Sequence, residues 1–144
     1  MMVDKEPTRA SPVHGQEDRV YTQGSDHSFY VLRLSHDCLY LTATGEPTGA
    51  DLLAVLGKAM RDGPLGGYRR AQVDLSLFHG VMDWQAVRSA RSLMGWEEEG
   101  HKVAYVILNE EMESWTKPLA PSFEKTEIAT FKSRTVAQAW LDET

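Results

Sequence analysis

Apolar positions first fall into a regular pattern at Phe29. Phe29-Tyr30-Val31-Leu32-Arg33-Leu34 and Cys38-Leu39-Tyr40-Leu41-Thr42-Ala43-Thr44 are rich in β-branched and aromatic side chains. Ser35-His36-Asp37 between them is turn chemistry, so the pair predicts a β-hairpin. Gly45-Glu46-Pro47 ends the second strand, and the period then changes. Thr48 is an N-cap with Asp51 placed to complete a capping box. Leu52, Leu53, Val55, Leu56, Ala59 and Met60 follow at helical spacing on one face. Asp62-Gly63-Pro64 stops that helix, and Gly66-Gly67 continues the loop.

Ala71-Gln72-Val73-Asp74-Leu75 is a short strand. Asp83 caps the next helix, whose apolar stripe is Trp84, Val87, Ala90, Leu93 and Met94, and which is expected to run through Glu97-Glu98-Glu99 and stop at Gly100. Lys102-Val103-Ala104-Tyr105-Val106-Ile107-Leu108 is apolar almost throughout, as a central strand covered on both faces should be. Asn109-Glu110-Glu111 begins a short helix that runs through Trp115 and ends before Pro118. Glu127 to Phe131 is a last strand, and Ser133 caps a final helix carrying Val136, Ala137, Trp140 and Leu141. The predicted order is β-β-α-β-α-β-α-β-α. A hairpin followed by alternating strand and helix makes the fold class α/β, a mixed sheet with parallel core strands covered by helices and joined by right-handed crossovers. Residues 1–27 mix Pro7, Pro12, Gly15 and Gly24 with charges of both signs and carry no apolar period. They read as a loosely attached tail, anchored at most by a short edge strand at Val20 and Tyr21, and residues 28–144 read as one domain.

Composition narrows the function classes. At 144 residues, with 42% hydrophobic and 25% charged positions, the chain has the balance of one globular domain. A formal charge of −6 argues against a nucleic-acid partner. Cys38 is the single cysteine, which excludes an internal disulfide and a thiolate zinc site. The histidines, at 14, 27, 36, 79 and 101, show neither the pairing nor the carboxylate clustering of a metal site, so neither a metal nor a cofactor is expected. No run approaches the roughly 20 apolar residues of a membrane span, so no stable membrane insertion is expected. The first residues lack the apolar core of a secretory signal, and a cytoplasmic location is the expectation.

One stretch has a familiar order. Asp74-Leu75-Ser76, a short loop, a long helix and then Gly100-His101-Lys102-Val103-Ala104 resemble the STAS fold of anti-sigma-factor antagonists. Phe78-His79-Gly80, Trp115 and the closing Phe131 with Trp140-Leu141 are similar to the SpoIIAA-like branch of that superfamily, over about residues 29 to 141. The resemblance implies a non-enzymatic ligand-binding or regulatory domain. Some members have an apolar groove like that of CRAL-TRIO lipid-transfer domains, which implies a small apolar or amphipathic, lipid-like ligand. True antagonists are switched by phosphorylating a serine at the start of the helix after the Asp-Leu-Ser strand, which adds about two negative charges there. Leu77 through Arg88 contains no serine or threonine, so the alternative is a protein-protein interaction module working without that switch.

Candidate chemistry gathers after the same strand. Asp74, Ser76, His79 and Asp83 surround a strand's C-terminal end, where open α/β sheets bind ligands. A serine nucleophile needs its histidine within hydrogen-bond reach beside an oxyanion site. No Gly-x-Ser-x-Gly elbow is present, so these side chains read as caps, no residue is assigned a catalytic role, and the protein is expected not to be an enzyme. The binding candidates are Phe78, His79, Gly80, Asp83 and Trp84 around the loop, with Trp115 and Phe123 as groove lining near Pro118 and Pro121. Trp96 joins them. Continuing the helix at about 100° per residue puts it with Gln85, Ser89 and Ser92 on a polar face, as an exposed contact surface. Cys38 reads as a small buried hydrophobe, and Gly63-Pro64-Leu65-Gly66-Gly67 as a helix-to-strand connection rather than a phosphate loop. The occupant would be a small apolar ligand or a protein partner, and a homodimer is compatible with either.

Overall fold

The computed structural model describes residues 19–96, 100–114 and 126–143. The sheet begins earlier than the hydrophobic pattern places it. Arg19–Gly24 is strand β1, antiparallel to β2 (Phe29–Ser35), with Val20 opposite Arg33 and Thr22 opposite Val31. The stretch read as a tail over residues 1–27 thus contains a strand of the sheet at Arg19–Gly24, and residues 1–18 lie outside the described residues. The short edge strand read at Val20 and Tyr21 is part of β1, and its full length was hard to see because a strand at a sheet edge is held mainly by its neighbour's backbone rather than by an apolar face. It is also tied to the helix layer, where Lys58 Nζ donates to the Thr22 carbonyl at 2.6 Å and the Tyr21 hydroxyl donates to Asp62.

β2 turns into β3 (Cys38–Gly45) through His36, which takes a positive φ of 57°, and this is the expected hairpin. Helix α1 (Gly49–Met60) starts on Thr48 with both halves of the capping box formed. Then come β4 (Arg70–Phe78), α2 (Trp84–Met94), β5 (His101–Val106), α3 (Glu110–Ser114), β6 (Thr126–Phe131) and α4 (Arg134–Leu141). The six strands lie in chain order across the sheet; β1-β2-β3 pair antiparallel and β3-β4-β5-β6 pair parallel.

That order decides what covers the sheet. Strands added always on the same side, by right-handed crossovers, drop their helices on the same face. α1 and α2 accordingly pack together there, over Leu32, Leu39, Leu75 and Val103. α4 follows the last strand, is free of the crossover rule, and lies on the opposite face against β4, β5 and β6. Its cluster is small: Ala137 and Leu141 pack with Cys38, Ala104 and Val106. Eight residues of helix span only about 12 Å. The β1–β3 half of that face is left as an open groove, lined by Val31, Arg33, Tyr40 and Thr42 and bounded by Arg134 and Gln138.

Two boundaries differ from expectation. β4 runs on to Phe78, so this residue ends the strand and is buried, instead of belonging to the loop beyond it. α2 ends at Met94, not at Gly100. Gly95 adopts a left-handed φ of 75°, which a residue without a Cβ does without strain. Its N–H donates to the Ser92 carbonyl at 3.1 Å and the Trp96 N–H to the Arg91 carbonyl at 3.0 Å, the two bonds of a Schellman closure.

Candidate functional site

The reversal at Gly95 determines where Trp96 goes. A 100° step extrapolates a helix only while the chain remains helical, and past a left-handed residue it points the wrong way. Trp96 is 2% exposed, and the expected surface tryptophan is thereby corrected to a core residue. Its indole N–H donates to the Leu65 carbonyl at 3.3 Å, and its ring centroid lies 4.5 Å from that of His101. The Gly63–Gly67 connection, read from sequence as a plain loop, supplies that carbonyl and buries Leu65.

Trp96 also lines a cavity of about 90 Å³ between the two helices and the sheet. Leu32, Leu41 and Val73 contribute from the strands; Leu52, Leu56 and Ala90 contribute from α1 and α2. Met82 and Met94 supply flexible thioether side chains to the same wall. Two tyrosines interrupt this apolar lining. Tyr30 and Tyr105 are 7% and 5% exposed. Burial, with the Asp51 and Asp83 carboxylates adding to it, pushes the Tyr30 phenol up to about 12. Burial, and then Tyr30 itself, raises the Tyr105 phenol as well. Both are protonated at neutral pH, each an O–H donor and an acceptor.

The loop candidates do not converge on this cavity. Phe78 packs into the core, His79 is exposed, and the His79 amide donates to the Gly45 carbonyl at 2.7 Å. At Gly80 an added Cβ would stand 3.0 Å from Phe78 Cζ, so the glycine permits a close turn over the phenyl ring. Asp83 caps α2 by accepting from the Ala86 amide at 3.0 Å, and Trp84 is half-buried against the core. Trp115 and Phe123 lie outside the described residues.

Asp74 and Ser76 are on the other side of the sheet. The Ser76 hydroxyl donates to Asp74 Oδ1 at 2.6 Å, the Ser76 amide to the same oxygen at 2.9 Å, and Arg134 Nε to Oδ2. Burial alone would raise the Asp74 carboxyl; these donors and the guanidinium charge outweigh it and hold the carboxyl below its ordinary value. Ser76 is thus bonded to Asp74 rather than to His79. Among the described residues there is no group of histidine, cysteine and carboxylate side chains that could hold a metal ion, and no helix long and apolar enough to cross a membrane.

No protein-family profile matches the chain, and no curated protein does. A solved structure from Shewanella loihica PV-4 does, an uncharacterized protein from the DUF3478 family with a SpoIIAA-like fold. The likeness has a TM-score of 0.51, with 21% identity, over 93% of this chain and 99% of that one. The present chain has a SpoIIAA-like fold. At that identity the likeness speaks for architecture, and the site must be argued from this chain's own residues. In this SpoIIAA-like sheet, Leu75 of the Asp74-Leu75-Ser76 stretch faces the cavity while its two polar neighbours face α4. Sequence reasoning did not single out Tyr30 and Tyr105, which line the cavity. Their only signal was a phenol in the middle of an apolar strand.

Proposed function

We propose that this protein is a non-enzymatic binding domain that takes a small apolar molecule between α1, α2 and the sheet. The cavity of about 90 Å³, walled by aliphatic side chains and Trp96, is the observation that carries the reading. The adaptable Met82 and Met94 in its wall favour accommodation of a guest. The engagement of Ser76 by Asp74 supports a non-enzymatic role, since a nucleophile would need His79 there. A cytoplasmic location goes with this reading. Native mass spectrometry of the protein purified without added ligand tests it: a bound small molecule, lost on unfolding, supports the reading. A bare chain that also shows no thermal stabilisation across a panel of small apolar compounds refutes it.

A second reading, a protein-interaction module without a phosphorylation switch, is favoured by one observation. Leu77, Val81 and Leu108 expose large apolar side chains at and beyond the C-terminal ends of β4 and β5. Charged substitutions at Leu77 and Val81 that leave ligand binding intact but abolish partner capture would decide for it.

A further inference from the structure

We propose that α4 is a charge-fastened strap, which ionic strength releases from the sheet while the rest of the fold stays intact. This concerns the face opposite the cavity and is independent of whether a ligand binds there.

The apolar hold on α4 is slight. Ala137 and Leu141 are its buried side chains, and they meet only Cys38, Ala104 and Val106 in a cluster far smaller than the one under α1 and α2. Lys132 and Ser133 alone join the helix to β6, and it lies on the outside of the sheet, so it lifts off without breaking a strand pairing.

The remaining fastenings are polar, and most of them carry charge. At the first residue of α4, Arg134 Nε donates to Asp74 Oδ2. Just past its end, Arg70 Nη1 donates to Asp142 Oδ1 at 2.7 Å and to the Leu141 carbonyl at 3.2 Å. Lys102 Nζ donates to the Trp140 carbonyl at 2.8 Å and stands 4.4 Å from the centroid of the Trp140 ring. Arg70 and Lys102 thus place positive charge at the negative end of the helix dipole. Gln72 Nε2 adds neutral bonds to the Arg134 carbonyl at 3.4 Å and to Gln138 Oε1 at 3.3 Å.

These charges are open to screening. The Arg134 and Asp142 side chains are 61% and 56% exposed, so counterions reach both ion pairs. An element with few apolar contacts and screened charges opens locally at a lower free energy than the whole domain. Weakening both pairs by salt multiplies the open population by about tenfold. Release joins the strip under α4 to the open groove beside it, so that Cys38, Ala104 and Val106 continue the surface of Val31, Tyr40 and Thr42.

Cys38 reports the opening. It is 1% exposed and lies in the cluster beneath α4, whereas Leu39 beside it packs under α1 and α2. The full chain is labelled with neutral 4,4′-dithiodipyridine, and each rate is divided by that of the urea-unfolded chain at the same salt. Labelling is expected to quicken about tenfold between about 0.02 and 0.5 M sodium chloride, with no fall in the urea midpoint. Urea below the unfolding transition should barely accelerate it, because lifting α4 exposes little surface. Arg134→Gln should speed labelling at low salt and weaken the salt dependence. Ile107→Val, in the cluster under α1 and α2, should lower the urea midpoint and leave low-urea labelling unchanged. Labelling that salt leaves unchanged or slows would overturn the strap. So would labelling that rises with urea as steeply as global unfolding, or that quickens in Ile107→Val in step with the lost stability.

Discussion

Replacing Trp96 separates a core role from a surface role. Its side chain is 2% exposed, its indole donates to the Leu65 carbonyl at 3.3 Å, and its ring packs on His101. Truncating a buried tryptophan to alanine costs about 3–5 kcal/mol, from lost transfer energy and from the void left behind. The void here would merge with an existing cavity, so little collapse is available to lessen the cost, and the upper half of that range is expected. Trp96→Phe keeps much of the packing but leaves the Leu65 carbonyl without its donor, for about 1–3 kcal/mol.

The assay is equilibrium urea unfolding. With a slope of about 2 kcal/mol per molar, Trp96→Ala should lower the midpoint by about 2 M and Trp96→Phe by about 1 M, with the slope unchanged. Domains of this kind have only about 5–15 kcal/mol in total, so the alanine change removes a large share of the stability; the phenylalanine variant keeps the measurement informative where the alanine variant is already partly unfolded. A surface tryptophan would shift stability by no more than about 0.5 kcal/mol. A loss below about 1 kcal/mol for Trp96→Ala would refute the placement of the indole inside the core, and with it the chain reversal at Gly95.

Glycines 49 and 57 of α1 should respond in opposite directions. A Cβ at Gly49 would stand 2.3 Å from Asp83 Oδ2 and 2.8 Å from Ala86 Cβ, so Gly49→Ala should lower stability by about 1–3 kcal/mol; Gly57 has nothing within 4 Å, so Gly57→Ala should raise it by up to about 1 kcal/mol, both read by thermal melting. Asp74 has a depressed carboxyl in the fold, so its contribution is complete above the unfolded value of 3.8 and is lost as pH falls through the lower folded value. Urea midpoints across that acid range should accordingly fall less steeply for Asp74→Asn than for the parent chain, and equal slopes would contradict the assignment. Cys38 is 1% exposed and burial raises its thiol, so it should resist a thiol-reactive dye at neutral pH in the folded protein and react fully in denaturant.

What the sequence revealed, and what it hid, divides along the range of the interactions involved. Thr48 with Asp51, Asp83 and Ser133 announce helix starts because a cap is satisfied within a few residues, and each cap is formed. The hairpin and the parallel strands were legible for the same reason: β-branched and apolar runs bounded by turn residues. Of Arg19–Gly24 only a short edge strand at Val20 and Tyr21 was legible, since its place in the sheet depends on a neighbour that its own side chains do not advertise. The end of α2 was misplaced because Gly95 and Gly100 both satisfy the rule for a helix stop, and the charged Glu97-Glu98-Glu99 suits a solvated helix end. Tertiary packing chose the earlier glycine, since only a turn there brings Trp96 back to Leu65. The phenols of Tyr30 and Tyr105 were invisible for a deeper reason. Tyrosine is an ordinary strand residue, and lining a cavity is a property of the assembled core.

The sheet itself separates the two chemistries that the sequence runs together. Asp74, Leu75 and Ser76 are consecutive, and in a strand consecutive side chains point to opposite faces. Leu75 therefore lines the cavity under α1 and α2, whereas Asp74 and Ser76 bond each other on the face where Arg134 of α4 reaches them. A catalytic reading of Asp74, Ser76 and His79 would have to assemble on the α4 side, where both carboxylate oxygens are already occupied and His79 lies past the strand end. The polar half of the stretch that carries the family resemblance thus serves to fasten the last helix to the sheet. The cavity lies on the opposite face, and two of its lining residues are tyrosines from β2 and β5 that no short motif contains.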